Sequence, residues 1–183
     1  LSRADWETQP TGVRIQWLVL LAEIEMARIN PDAVRLHATE AERLAHAAGK
    51  GWEHERATAL LLKAQSDAYQ WGELADRSQF DEAARLFTEA GADIDALHAK
   101  VTAELSLPPS GPSAQLDSLL AQTRAGGYRS MEIQLLRRVA FQHYNAGDLV
   151  EYRKRLEQAL ACATHAGDAV AQLSLDVSLL NED

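Results

Sequence analysis

The dipeptide Ala-Gly closes an apolar stretch of this 183-residue chain four times. Successive copies are 42, 35 and 41 residues apart. Because glycine just past a helix supplies the left-handed conformation that ends it, each copy marks a predicted helix end. Recurrence at a period near 40 is typical of chains that stack similar helical units. The copies are Ala48-Gly49, Ala90-Gly91, Ala125-Gly126 and Ala166-Gly167.

Apolar residues before three of these dipeptides recur at helical spacing. They follow steps of 3 and 4 residues within 34–48, 80–90 and 149–166, and the pattern is weaker within 113–125. Such spacing predicts helices with one buried face. The 32 Ala and 26 Leu, against 8 Val and 5 Ile, favour helices over a sheet.

A further helix is predicted before each of these stretches. The ranges are 13–29, 52–76 with a bend near Gly72, 92–106 and 128–146, and a last helix covers 168–180. Asn30-Pro31 ends one helix and starts the next, with Asn as the N-cap and Pro at the first helical position. A stiff break is expected at residues 108–112, which hold three prolines. In the first helix the residues expected to be buried are Trp17, Leu20, Leu21, Ile24 and Ala27.

The predicted fold is therefore all-α, an α-solenoid of stacked antiparallel helix hairpins with about nine helices. We expect a single domain over 1–183. Its repeats are 13–49, 52–91, 92–126 and 128–167, with a partial repeat at 168–183.

The segment from Ala140 to Leu160 resembles a tetratricopeptide repeat. It has a small residue, then Tyr144, the turn Gly147-Asp148-Leu149, and finally Ala159-Leu160. Tyr152 departs from the pattern, which has a small residue there, and a second partial match at 78–90 lacks the Gly-Asp turn. The long spacing resembles the divergent repeats of MalT-like and LuxR-type bacterial regulators, and of arrays that precede GGDEF-type cyclase domains. The resemblance covers about three quarters of the chain, and it is specific only over 131–167.

The resemblance implies a concave face lined by the first helix of each pair. In the best-matched repeat the groove-facing positions are Gln134, Arg137, Phe141, Tyr144 and Asn145. Amide, cationic and aromatic groups together suit a peptide or a ligand. The alternative is that Phe141 and Tyr144 pack on the neighbouring repeat.

No catalytic or metal-binding motif is found in the sequence. The six histidines show no metal-ligand spacing, and close carboxylate pairs stand two apart, so on a helix they diverge. No phosphate-binding glycine loop or nucleophile elbow is present, and no cofactor is expected. Cys162, the only cysteine, lies among alanines and is expected to be a packed thiol. His143 is expected to be a core histidine, and Trp71 either packs in the core or lines a pocket near Gly72.

Charge and hydropathy narrow the class of partner. The net charge of −9 argues against direct nucleic-acid binding, although residues 124–157 carry a local balance of +3. That stretch is either a solvated face or a docking patch for an acidic partner or neighbouring domain. No apolar run reaches 18 residues and no signal peptide is present, so we expect a cytoplasmic protein without a membrane span. The 14 Arg against 4 Lys suggest a GC-rich bacterial genome.

The favoured hypothesis is a non-enzymatic interaction module of a larger bacterial regulatory protein, which binds a protein, a peptide or a second copy as a homodimer. The start at Leu1 and the apolar end at 173–180 suggest a fragment of a longer chain. The alternative is a small-molecule-sensing domain that controls an attached DNA-binding or cyclase output. An enzyme with dispersed residues is the third hypothesis.

Overall fold

The computed structural model describes residues 6–71, 76–106 and 114–180, which form nine helices and no strand. The helices are α1 (Thr11–Ala27), α2 (Pro31–Ala48), α3 (Glu53–Trp71), α4 (Arg77–Glu89), α5 (Asp93–Ser106), α6 (Ala114–Gly126), α7 (Arg129–Asn145), α8 (Leu149–Ala166) and α9 (Ala169–Leu180). The all-α prediction and the expected number of helices are confirmed for these residues.

The contacts divide the chain into two compact units, 1–108 and 109–183. Within each unit every helix packs on the next one along the chain. In the first unit α3 also contacts both α1 and α5. Contacts between neighbouring and next-but-one helices are those of stacked helix hairpins. The predicted repeat 92–126 has one helix in each unit, and the single-domain assignment stays a prediction. The proposed bend near Gly72 and the proline-rich break at 108–112 lie outside the described residues.

Alanine builds much of the core in the first unit. One side of α3 places Ala59 and Leu62 against α1 and α2, and its other side places Leu61 and Ala64 against α4 and α5. Because alanine side chains are short, helices that meet through them approach closely. Phe80 of α4 is the largest fully buried side chain among the described residues and packs in one cluster with residues of α3 and α5.

The buried face of α1 differs from the prediction. Trp17, Leu20 and Ile24 are 47%, 44% and 38% exposed, Ala27 is exposed and Leu21 is half-buried. The side chains buried instead are Ile15, Leu18 and Ala22. Every residue from 15 to 21 except Gln16 is apolar, so the pattern does not select one face of this helix. The face with Ala22 is buried because Val34 and Ala38 of α2 pack against it.

The second unit packs α6 on α7, α7 on α8 and α8 on α9. Its core is richer in leucine, with Leu135 and Leu136 of α7 fully buried and Leu175 of α9 fully buried. The stripe predicted for α8 is buried only in its middle, at Leu156, Ala159 and Ala163, whereas both of its ends are exposed.

Five helices end through the same reversal of the backbone. After each, one residue takes positive φ and the next N–H donates a hydrogen bond five residues back, as Ala92 does to Phe87 at 2.8 Å and Asp168 to Ala163 at 3.0 Å. The positive-φ residues at these five helix ends are Ile29, Gly91, Gly127, Gly147 and Gly167. The prediction that Gly126 ends its helix in this way is wrong, because α6 continues through Gly126 and Gly127 is the left-handed residue. The start of α2 at Pro31, capped by Asn30, is confirmed.

Ile29 stands where the other four reversals have glycine. Its φ of 57° is costly for a β-branched side chain, because Cβ crowds the backbone in the left-handed region. Its side chain is 67% exposed, so it offers little burial in return.

We expect Ile29→Gly to raise the free energy of unfolding by about 0.5–1 kcal/mol, since relief of the left-handed strain exceeds the entropy cost of glycine. Gly91→Ala should lower the free energy of unfolding by about 1 kcal/mol, because alanine is strained at positive φ. An added Cβ at Gly91 meets no atom within 4 Å, so the backbone conformation alone opposes the substitution. Urea unfolding followed by circular dichroism measures both, and a destabilised Ile29→Gly variant would contradict this account.

Candidate functional site

A groove lies between α7 and α9 in the second unit. Its volume is about 360 Å³. We call it the α7–α9 groove. It is lined by Ser130, Ile133, Gln134 and Arg137 of α7 and by Asp168, Val170, Ala171 and Ser174 of α9.

The turn between α8 and α9 positions the α9 wall. Gly167 reverses the chain at φ 69°, and the Asp168 carboxylate accepts a hydrogen bond from the backbone N–H of Ala171 at 2.9 Å. This cap satisfies a free N–H at the start of α9. The Gln172 amide donates to the Ala163 carbonyl at 3.2 Å and fastens α9 to the end of α8. These contacts place the beginning of α9 beside the beginning of α7.

Of the five predicted groove residues, Gln134 and Arg137 line the α7–α9 groove. Phe141 and Tyr144 lie further along the same face of α7, 49% and 52% exposed, and their rings stack at 6.5 Å. Tyr144 also contacts Tyr152 of α8, with ring centroids 5.3 Å apart. Asn145, the last residue of α7, is exposed and does not line the groove. The assignment of these residues to a binding site stays a prediction.

Arg137 has no ion-pair or hydrogen-bond partner for its side chain among the described residues. Its guanidinium is exposed on the face that also carries Gln134 and Phe141, spaced by 3 and 4 residues. Most arginines of this acidic chain contact a carboxylate, as Arg85 does with Glu82 at 2.7 Å. A guanidinium left without a carboxylate beside exposed rings is available to a ligand.

The α9 wall was not predicted. Val170, Leu173, Val177 and Leu180 are spaced by 3, 4 and 3 residues and are between 50% and 82% exposed. These four residues are named the α9 stripe. The spacing could be read from the sequence, but it usually indicates a buried face, and only the fold shows that Leu175 is the side chain turned inward.

A second cleft, of about 310 Å³, lies between the end of α6, the start of α7 and the end of α8. We call it the Glu132 cleft. It is lined by Arg124, Arg129, Glu132, Gln158, Ala161, Cys162 and His165. Sequence reasoning missed it as a site, because its side chains come from three helices.

Glu132 is a carboxylate only 5% exposed. Arg124 Nε donates to its Oε1 at 2.8 Å, and Arg129 Nη1 donates to its Oε2 at 2.9 Å. The Cys162 thiol donates to the same Oε2 at 3.4 Å. A buried charge is tolerated when it is paired and hydrogen-bonded in this way.

These contacts set the protonation states in the cleft. Burial favours the neutral acid, but the hydrogen bonds from Arg124, Arg129 and Cys162 outweigh it and lower the pKa of Glu132 below its ordinary value. Burial, together with the adjoining carboxylate, raises the pKa of the Cys162 thiol. Cys162 is buried, as predicted for a packed thiol, and a thiol with raised pKa is a poor nucleophile.

Other residues singled out in the sequence lie elsewhere. His143 is partly buried, and its Nδ1 lies 3.3 Å from the Asp148 carboxylate. Trp17 faces outward, and the side chain of Trp71 lies outside the described set. Within the described ranges, no three histidine, cysteine or carboxylate side chains gather as a metal site requires. None of the described helices has both the length and the apolar character needed to cross a membrane.

No protein-family model matches this chain, and comparison with curated proteins finds no matching relative.

We expect Glu132→Gln to lower the free energy of unfolding at pH 7 by about 2 kcal/mol, because two guanidinium groups lose their shared carboxylate. Since the folded pKa of Glu132 is lowered, the stabilisation is complete above the unfolded value of about 4.3 and is lost as the pH falls through the folded pKa. The difference between the wild type and Glu132→Gln should therefore shrink below about pH 4.

Denaturant unfolding at pH 7 and pH 3 measures this difference. The matched control is Glu157→Gln, which removes an exposed carboxylate 3.5 Å from Arg153 and should change stability by less than about 0.5 kcal/mol. Equal effects of the two substitutions would show that Glu132 has no special role.

Proposed function

We propose that this chain is a non-catalytic binding module of tetratricopeptide-like helix hairpins, and that it binds a peptide or protein segment along α7. We place it in a larger cytoplasmic signalling or transcription-regulatory protein of a bacterium. The stacking of neighbouring helices and the Gly147-Asp148 turn between α7 and α8 support the family resemblance. The alternative, a small-molecule-sensing repeat domain that controls an attached output domain, is favoured by one observation, the Glu132 cleft.

The observation that carries the proposal is the Arg137 guanidinium, which makes no ion pair with any described residue and lies on the same face of α7 as the exposed Phe141 and Tyr144. Exposed aromatic and arginine side chains are the residue types that contribute most to binding energy at interfaces. An arginine without an internal partner binds a carboxylate without first breaking an ion pair. Their 3- and 4-residue spacing along one helix gives a ligand an elongated contact surface.

The α9 stripe supplies the apolar part of the same surface. Val170 lines the α7–α9 groove directly, and Val177 lies two helical turns further along α9. Apolar side chains in such a stripe contact an amphipathic helix or an extended segment. We therefore expect a ligand with apolar side chains toward α9 and one acidic side chain or a C-terminal carboxylate at Arg137. The net charge of −9 disfavours a strongly acidic ligand.

The proposal is tested by selecting peptides on the 183-residue protein from a displayed random library and measuring one selected peptide by fluorescence anisotropy. The double variant Arg137→Ala plus Tyr144→Ala should weaken binding at least about thirtyfold, because two contacts of hot-spot size are lost. Leu173→Asp should weaken it as well, since it places a charge in the α9 stripe.

Lys154→Ala is the matched control, because it removes an exposed charge of α8 that pairs with Glu151. Its affinity should stay within about twofold of the wild type. Peptides that bind the double variant as tightly as the wild type would overturn the proposed groove. Sedimentation equilibrium tests the homodimer separately: a dimer that Leu173→Asp dissociates would make a second copy the occupant of the α9 stripe.

A further inference from the structure

The charges of the side chains that line the Glu132 cleft do not cancel. Two arginines share the single carboxylate of Glu132. Glu40 of the first unit is also shared by two arginines, Arg14 and Arg43, but its side chain is 36% exposed, whereas that of Glu132 is only 7% exposed. Neutralising Glu132 needs only one guanidinium, so the cleft keeps an excess positive charge in a chain of net charge −9.

The neighbouring thiol does not cancel that excess. Cys162 is buried against Glu132, and its raised pKa keeps it protonated at neutral pH. It donates to the carboxylate and brings no negative charge into the cleft. The cleft therefore carries at least one net positive charge at pH 7.

Glu132 also fixes the two guanidinium groups in place. Glu132 accepts one hydrogen bond from each, through Nε of Arg124 and Nη1 of Arg129, and Arg129 also contacts the Cys162 side chain. The two arginine side chains remain 44% and 50% exposed. A guanidinium has five N–H donors, so most donors on both groups have no partner among the described residues. Two oriented guanidinium groups with unused donors match the oxygens of a phosphate.

α8 supplies the other polar groups. His165 Nδ1 lies 3.2 Å from the Ala161 carbonyl oxygen, which can only accept, so Nδ1 carries the proton. Nε2 of the same ring is then left for a phosphate oxygen or hydroxyl. Gln158 uses its carbonyl oxygen to accept from Arg155 at 3.4 Å, which leaves its amide N–H groups for a ligand. The Ala161 methyl group gives apolar contact for the ester group.

We propose that the Glu132 cleft binds the phosphate group of a small phosphate monoester. Arg124 and Arg129 donate to the phosphate oxygens, Glu132 acts as the positioning residue behind them, and Gln158 and His165 complete the site. A volume of about 310 Å³ suits a small phosphorylated metabolite. The site is separate from the α7–α9 groove and does not depend on peptide binding there.

Isothermal titration calorimetry with phenyl phosphate, inorganic phosphate and benzoate tests the proposal on the 183-residue protein. Phenyl phosphate should bind saturably and more tightly than inorganic phosphate, because its ring adds apolar contact, and benzoate should bind most weakly. Arg124→Gln and Arg129→Gln should each weaken phenyl phosphate binding about tenfold, since each removes a charge-assisted hydrogen-bond partner. Arg153→Gln is the control: it removes an exposed arginine of α8 outside the cleft and should leave the affinity within about twofold.

Amide chemical-shift mapping keeps the test decisive if an arginine variant unfolds. Titration of the wild type with phenyl phosphate should shift the amides of residues 124–132 and 158–165 and leave those of α1 and α2 unchanged. No saturable binding, tighter binding of benzoate, an equal loss in Arg153→Gln, or shifts elsewhere would each overturn the proposal.

Discussion

The reversal of the backbone after a helix is the constraint on which the rest of this structure depends. At Gly91, Gly127, Gly147 and Gly167 one residue of positive φ turns the chain, and the following helix begins two residues later. So short a connection leaves the next helix no place except against the previous one. The packing of α4 on α5 and of α6, α7, α8 and α9 on one another in turn follows from it.

The sequence predicts this constraint well because it is local. Ala90-Gly91 and Ala166-Gly167 mark true helix ends, and Asn30-Pro31 gives the start of α2. The sequence does not decide between two adjacent glycines. Either Gly126 or Gly127 could take positive φ, and Gly127 does. The positive φ of Ile29 could not be predicted either, because no sequence pattern indicates a reversal at a β-branched residue.

Side-chain burial is predicted less well, because it depends on which neighbours are present. Residues 17–22 of α1 are apolar on all sides, so the partner helices α2 and α3 decide that Ile15 is buried and Trp17 exposed. Glu132 reads as a solvated glutamate of α7, yet Arg124 from α6 and Cys162 from α8, 30 residues away in sequence, enclose it. The repeat pattern within α7 alone was enough to predict Gln134 and Arg137 as groove residues. The residues of α9 that face them could not be predicted, because they come from a different helix.

The two clefts of the second unit differ in the chemistry that they offer. The α7–α9 groove presents Arg137, which makes no ion pair among the described residues, and the exposed rings of α7 and the α9 stripe extend beyond it. Together these groups suit an elongated ligand. The Glu132 cleft presents fixed guanidinium groups around a buried carboxylate, which suit a compact anion. Because Arg129 opens α7 and Arg137 lies in its middle, a ligand in either cleft contacts the same helix.

The central proposal is that this chain binds a peptide through the α9 stripe and the face of α7 that carries Gln134, Arg137, Phe141 and Tyr144. The most direct measurement is an amide chemical-shift map of the protein titrated with a selected peptide. We predict shifts along 134–145 and 170–177, with little change in α1–α5. Shifts confined to the exposed face of α1, around Trp17 and Leu20, would contradict the claim.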